Sequence, residues 1–389
     1  MKRWITSLCL ALIVASCKKP FTPSESISTD NRYLVVEGII SGSSDSTFIT
    51  LSRTKKVDTL RTIYPETGAQ VRVESDANNS FNLAEIKVGI YASAPISLDG
   101  SHKYRLRIKT TEGKEYVSDF VVVKNAPSID SVGFVAENDG AHIYVNSHDP
   151  TNSTRYYRWD YREDWRFHSE YRSAYLKSGA PRQESQQIYD CFAKDSSTNV
   201  LLASTTKLTQ DIIYKAPLTM VPSTSEKIEK KYCISVRQYA LTSDAYDFWQ
   251  NLQKNTEKLG SIFDVLPSQI KSNFHCVTNP NELVIGYLSV GNTSFKRTFF
   301  TAGQFPPGYS PKYPSYCEID TTFVSPNPKI PSEVTSTENY NKPNSPYVPI
   351  MALYPIPDIF GVPYAYTFST TLCVDCTIRG TTAQPLFWK

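Results

Sequence analysis

The sequence predicts a mainly β protein: an N-terminal immunoglobulin-like β-sandwich over residues 33–125, then a larger β-rich domain over 126–389 with one amphipathic helix and a long proline-rich loop. Three observations predict it. Short runs of apolar residues alternate with polar ones at a period of two, and turn residues part them. A single segment near 243–259 repeats its apolar residues at the period of a helix instead. Thirteen prolines fall between Pro306 and Pro363, a density at odds with regular structure over 303–363.

Taken in order, residues 33–40 set Leu34, Val36 and Ile40 on one face against Tyr33, Val35 and Ile39 on the other. Residues 48–52 and 71–74 repeat the alternation, and Tyr104, Leu106 and Ile108 do so between Lys103, Arg105, Arg107 and Lys109. The turn Thr111-Glu112-Gly113-Lys114 precedes another strand over 116–123. Ala126-Pro127 then breaks the pattern, and strands follow at 131–136, 141–147, 155–167, 186–192, 212–216 and 232–241, the first two joined by the turn Asn138-Asp139-Gly140. In the helix, Thr242 or Ser243 is the N-cap and Asp244 complements the dipole. Ala245, Phe248, Trp249 and Leu252 form its stripe, and Gly260 stands at the stop. Strands return at 282–289, 295–301 and 364–372.

The start of the chain is an address. Lys2 and Arg3 precede an apolar run too short to span a bilayer, and Val14-Ala15-Ser16-Cys17 has the pattern of a bacterial lipobox. The expectation is a signal peptide over 1–16, a diacylglycerol on Cys17 and a flexible tether over 17–32, where polar residues have too little to bury to offset ordering. Losing Lys2 and Arg3 leaves 39 basic against 38 acidic residues, so the near-neutral mature chain lacks the electrostatic footprint of a nucleic-acid binder. In an exported chain the remaining Cys191, Cys233, Cys276, Cys317, Cys373 and Cys376 are disulfide candidates, with Cys317 to the Cys373/Cys376 pair as the long-range staple. Zinc and redox readings of Cys373-Val374-Asp375-Cys376 are weaker, since no second Cys or His pair stands near and no βαβ context surrounds it.

Catalytic chemistry leaves no trace. His102, His142, His148, His168 and His275 are isolated in sequence, and no phosphate loop, nucleophile elbow or zinc-protease motif occurs. His148-Asp149 lacks a second ligand pair. The expectation is therefore a non-enzyme with no cofactor and no metal. Recognition has two candidates. Along 156–167, Tyr157, Trp159, Tyr161, Trp165 and Phe167 share one face with Glu163, while Arg158, Asp160, Arg162, Asp164 and Arg166 form a charge ladder on the other. The aromatic face is either core, with the ladder pairing across strands, or a platform for a glycan or peptide ligand. The second candidate is the 303–363 loop with Tyr309 and Tyr313.

Several of these residues together resemble a family. They are the lipobox followed by Tyr33-Leu34-Val35-Val36-Glu37-Gly38, the Trp159-Asp160-Tyr161 region, Gln238 to Thr242 with Tyr246, Phe248 and Trp249, Gly260-Ser261-Ile262-Phe263-Asp264, and Cys373-x-x-Cys376 with Phe387-Trp388. The chain is similar over nearly all its mature length to a Bacteroidota lipoprotein family, domain of unknown function 4249. That resemblance brings no catalytic residues. Because its members are commonly encoded beside TonB-dependent outer-membrane transporters, it implies an accessory or ligand-capture role at such a transporter; the competing expectation is a scaffold or adhesin with a protein partner and no small-molecule ligand. The outer membrane is the expected location, with the cell-surface face favoured. Lys18 and Lys19 depart from the acidic residues that surface-exported lipoproteins of that phylum carry after the lipidated cysteine.

Overall fold

A computed structural model describes residues 32–42, 46–54, 64–176, 180–257, 271–313, 316–323, 345–354, 356 and 363–388. The expected leader, Cys17, most of the tether, Gly260 and parts of the proline-rich loop lie outside the described residues. The first strands are β1 Leu34–Ile40, β2 Phe48–Arg53, β3 Tyr64–Pro65, β4 Gln70–Ser75, β5 Ser80–Lys87, β6 Ile90–Ala92, β7 Lys103–Lys109, β8 Glu115–Ser118 and β9 Val121–Val122. Next come β10 Ile129–Ala136, β11 Gly140–His148, β12 Tyr156–His168, β13 Asp190–Ser196, β14 Leu201–Ser204, β15 Ile212–Pro222 and β16 Lys231–Ala240. Helix α1 Ser243–Glu257 is followed by β17 Phe274–Cys276, β18 Val284–Ile285, β19 Ser289–Val290 and β20 Ser294–Thr301. Last are β21 Asp320–Phe323, β22 Tyr347–Leu353, β23 Ala365–Thr370 and the short helix α2 Thr371–Val374.

The fold is mainly β, with several sheets. In the first, strands pair in the order β17-β8-β7-β4-β5-β6-β2-β1-β18, with β3, β9 and β19 attached at the sides. Leu34, Val36, Ile49, Leu51, Val71, Val73, Leu106 and Ile108 alternate inward as their period demands and fill one core. The path bends until its ends meet, so the sheet is nearly a closed barrel. Asn273 spans the seam: its Nδ2 donates to Leu288 O at 3.1 Å and its Oδ1 accepts from Leu288 N at 2.8 Å. Gly286 allows the close approach to β1, because its φ is +139° and a Cβ there would lie 2.2 Å from Val36 O. The barrel thus takes its last strands from residues 274–290, far along the chain from 33–125.

Residues 129–240 and 294–301 build a second body of two facing sheets. One is β10-β11-β15; the other is β13-β12-β16-β20, with β14 also on β12. Their inner faces share a core of Val132, Ile143, Val145 and Leu218 against Tyr157, Trp159, Trp165, Phe167, Ile234, Val236 and Phe300. Helix α1 begins where Thr242 Oγ1 accepts from Ala245 N at 3.2 Å, and it buries Ala245 and Phe248. A fourth, small sheet, β21-β23-β22, carries α2. Among the described residues no helix is long and apolar enough to cross a membrane.

Two disulfides tie the C-terminal segment down. Cys191 pairs with Cys376 over a separation of 185 residues, and Cys317 with Cys373 over 56. The Cys317 staple is as expected, and the two cysteines of Cys373-x-x-Cys376 go to different partners. Cys233 and Cys276, expected as disulfide candidates, are free and buried. They stand in different cores, Cys276 in the barrel and Cys233 under Trp388, so no short bridge can join them. Burial pushes the Cys233 thiol up to about 11, and the nearby Asp164 carboxylate acts in the same direction.

Candidate functional site

Alternation along β12 sends its aromatic residues into the core. Tyr157 and Trp159 are 0% and 2% exposed. Their polar ends are satisfied there: Tyr157 OH donates to Asp211 Oδ2 at 2.9 Å and Trp159 Nε1 to Gln238 Oε1 at 2.8 Å. Trp165 is buried as well, and its Nε1 donates to Glu226 at 3.3 Å. These three therefore offer no platform to a ligand: they are buried in the shared core, Tyr157 and Trp159 stack on each other at 5.7 Å, and Lys227 lies 4.9 Å from the Trp165 ring centroid. Tyr161 packs on the same core from a half-buried position at the rim. Glu163, the carboxylate on this inward face, is met by Lys227 Nζ and by Tyr232 OH, each at 2.6 Å.

Tyr309 and Tyr313, the loop candidates, act as pins. The Tyr309 hydroxyl lies 2.5 Å from Glu137 O and 2.7 Å from Gly140 O at the β10–β11 turn. Tyr313 OH donates to Glu229 Oε1 at 2.5 Å, and its ring and that of Tyr189 both stack on His168, at 5.9 and 4.7 Å. Burial works to lower the His168 pKa, but hydrogen bonds to Glu229 and to Ser169 O outweigh it and the pKa is raised. Their hydroxyls are thus committed inside the protein, which is why neither tyrosine presents a binding edge.

The other face of β12 carries the charge ladder, and the register shows what surrounds it. Asp160 stands beside Arg237 of β16 and then Phe295 of β20; Arg162 stands between Ser196 of β13 and Ser235 of β16, which faces Arg297. The chain end closes the lower part of this face: Trp388 packs on Phe192, Phe299 and Cys233. Phe387 lies under the Arg297 guanidinium, 3.8 Å from its ring centroid. What stays open is a groove of about 470 Å³ walled by Phe295 and Phe387, with Ser196, Ser197, Ser235 and the charged side chains as its lining.

The charges in the groove do not cancel. Asp160 accepts from Tyr239 OH at 2.5 Å and faces Arg158 at 3.7 Å. Asp164, 2% exposed, is paired through Oδ1 with Arg162 Nη2 at 2.5 Å, while its Oδ2 has no hydrogen-bond partner. Arg297 donates from Nε only to the Ser235 hydroxyl, at 3.0 Å. Arg237 is exposed and makes no hydrogen bond or ion pair among the described residues. Both carboxylates are thus matched by Arg158 and Arg162, leaving Arg237 and Arg297 as net positive charge. Sequence reasoning found the β12 ladder but missed Arg237, Phe295, Arg297 and Phe387. The alternation of 295 and 297 on one strand was visible; the register that brings them beside β12 was not.

Elsewhere, Glu137, Asp139 and His142 bring their ligand atoms within 4.8 Å of one another at the β10–β11 turn and would be the residues to hold a metal ion. The 2.9 Å contact of His142 Nε2 with Asp139 Oδ1 accounts for their closeness, and it raises the His142 pKa. Among the described residues this cluster of three possible metal ligands is thus built on an exposed ion pair.

Comparison with known proteins decides the family. Residues 18–297 match the family described as Domain of unknown function (DUF4249). The chain belongs to that family. No curated protein matches it in sequence. A solved structure of the manganese lipoxygenase of Gaeumannomyces graminis, with part of a zonadhesin of Komagataella pastoris, is similar over 55% of this chain and 90% of its own at 11% identity and a TM-score of 0.15. The BSP domain of a biofilm associated protein is similar over 70% and 59% at 8% identity, with a TM-score of 0.12. Neither likeness carries an argument about architecture or function. The DUF4249 match ends within β20, so the groove draws β12, β16 and the first half of β20, with Phe295 and Arg297, from the family region and Phe387 from beyond it.

Proposed function

We propose that the chain is a non-enzymatic outer-membrane lipoprotein, held by lipid on Cys17, that serves as an accessory or ligand-capture subunit of a TonB-dependent transporter. The observation that carries the reading is the pair of disulfides, which suit an oxidising compartment outside the cytoplasm. The lipobox supplies the anchor that an exported chain of this kind needs, and a single acylated terminus with two or more chains gives stable attachment. The transporter partner is supported by membership of the family, whose members the resemblance associates with such transporters. An open, charged groove with no nucleophile and base in contact supports capture over catalysis.

Two experiments test it. Labelled palmitate should enter the wild-type chain and not Cys17→Ser, which should leave the membrane fraction. A tagged full-length chain extracted in mild detergent should retrieve a TonB-dependent β-barrel; a pull-down with no barrel defeats the transporter reading, and an unlabelled wild type defeats the anchor.

A further inference from the structure

We propose that the groove on the outer face of the β13-β12-β16-β20 sheet is a binding site for an acidic saccharide, a sugar chain that bears carboxylates. The inference gives the capture half of the proposed function a place and a ligand class, and it rests on that reading.

Three features of the groove select the ligand. The first is charge: with Asp160 and Asp164 each matched by an arginine, Arg237 and Arg297 remain without a carboxylate. They sit diagonally across β16 and β20, since Arg237 faces Phe295 and Ser235 faces Arg297. Diagonal neighbours on one sheet face are about 7–8 Å apart at Cα, a span whose long guanidinium arms can close on one carboxylate. The second is mixed polarity. Ser196, Ser197 and Ser235 line the groove as polar groups beside the two carboxylates, and the Ser197 hydroxyl, which accepts from Tyr161 N, has its own proton to donate. Asp164 is closed off from solvent and paired with the half-exposed Arg162, and Asp160, with its side chain 44% exposed, is the carboxylate that a ligand hydroxyl can reach. A ligand rich in hydroxyls answers such a lining, whereas a simple anion or a hydrocarbon leaves it unpaired. The third is shape. Phe295 is 52% exposed, so although the Arg297 guanidinium lies 5.3 Å from its ring centroid as well as 3.8 Å from that of Phe387, Phe295 keeps ring surface open to the apolar face of a sugar.

An acidic peptide shares the charge but lacks the dense hydroxyls and the flat apolar face, so it is the competitor in the test. Full-length protein in detergent is titrated with tetragalacturonate by calorimetry, beside its methyl ester, which keeps rings and hydroxyls but has no charge, and beside hexaglutamate. Tetragalacturonate is expected to bind, the ester and the peptide to bind at least roughly tenfold more weakly, and Arg237→Gln and Phe295→Ala each to weaken the saccharide by roughly tenfold. Arg237 and Phe295 are exposed, so neither substitution threatens the fold. The proposal is overturned if tetragalacturonate does not bind, if hexaglutamate binds as well, or if both variants bind like wild type. Because no transporter is present, failure here leaves the pull-down result standing, and an empty pull-down leaves this titration interpretable.

Discussion

Replacing Cys191 and Cys376 together by alanine will remove most of the stability of the body that holds β12 and β16. The bridge closes 185 residues of chain. Loop-closure entropy for such a length amounts to about 5 kcal/mol at 25 °C, against about 4 kcal/mol for the 56-residue separation of Cys317 and Cys373. The second bridge lies inside the first loop and shortens the path around it, which lowers the larger figure by only ~0.3 kcal/mol because the dependence on length is logarithmic. Domains are stable by about 5–15 kcal/mol, so a loss of this size is close to unfolding at room temperature. Urea unfolding of each double variant, followed by the fluorescence of the buried Trp159 and Trp165, measures the loss. The Cys191→Ala/Cys376→Ala midpoint should fall furthest, Cys317→Ala/Cys373→Ala about 1 kcal/mol less, and the free thiol variant Cys276→Ala should stay near wild type apart from its small cavity. An unchanged midpoint in the first variant would refute the assigned pairing.

Three further outcomes follow from local contacts. Lys227→Met leaves the buried Glu163 with only Tyr232, which should cost about 3 kcal/mol; adding Glu163→Gln should restore most of it, as a double-variant unfolding series will read. Asn273→Ala orphans the N–H and C=O of Leu288 at the barrel seam, a loss of about 2–4 kcal/mol, with amide exchange rising first at 284–290. His168 has a pKa raised above its ordinary 6.5, so its contribution to stability is full below 6.5 and is lost as pH climbs through the raised value; Glu229, lowered from 4.5, adds stability above 4.5 that is lost on acidification. The melting temperature of wild type should therefore fall as pH rises beyond 6.5, and His168→Gln should flatten that limb; a parallel decline in the variant would exclude His168 as its source.

The alternation of Tyr104, Leu106 and Ile108, or of Tyr157, Trp159 and Trp165, is local information, and it sufficed to place strands and to split β12 into an apolar and a charged face. The helix was legible for the same reason, with its cap narrowed to Thr242 or Ser243, and the structure gives that role to Thr242. Strands of two or three residues such as β17, β18 and β19 have little period to display, so the sequence marked a strand over 282–289 but nothing in it showed that residues 274–290 close the barrel. Nor could six cysteines name their partners: proximity of Cys191 to Cys376 depends on where a chain of 185 residues returns. The groove belongs to this second kind of fact. Arg237, Phe295, Arg297 and Phe387 meet Asp160 and Arg162 only through the register of three strands and the docking of the chain end, which long-range packing decides and no local pattern encodes.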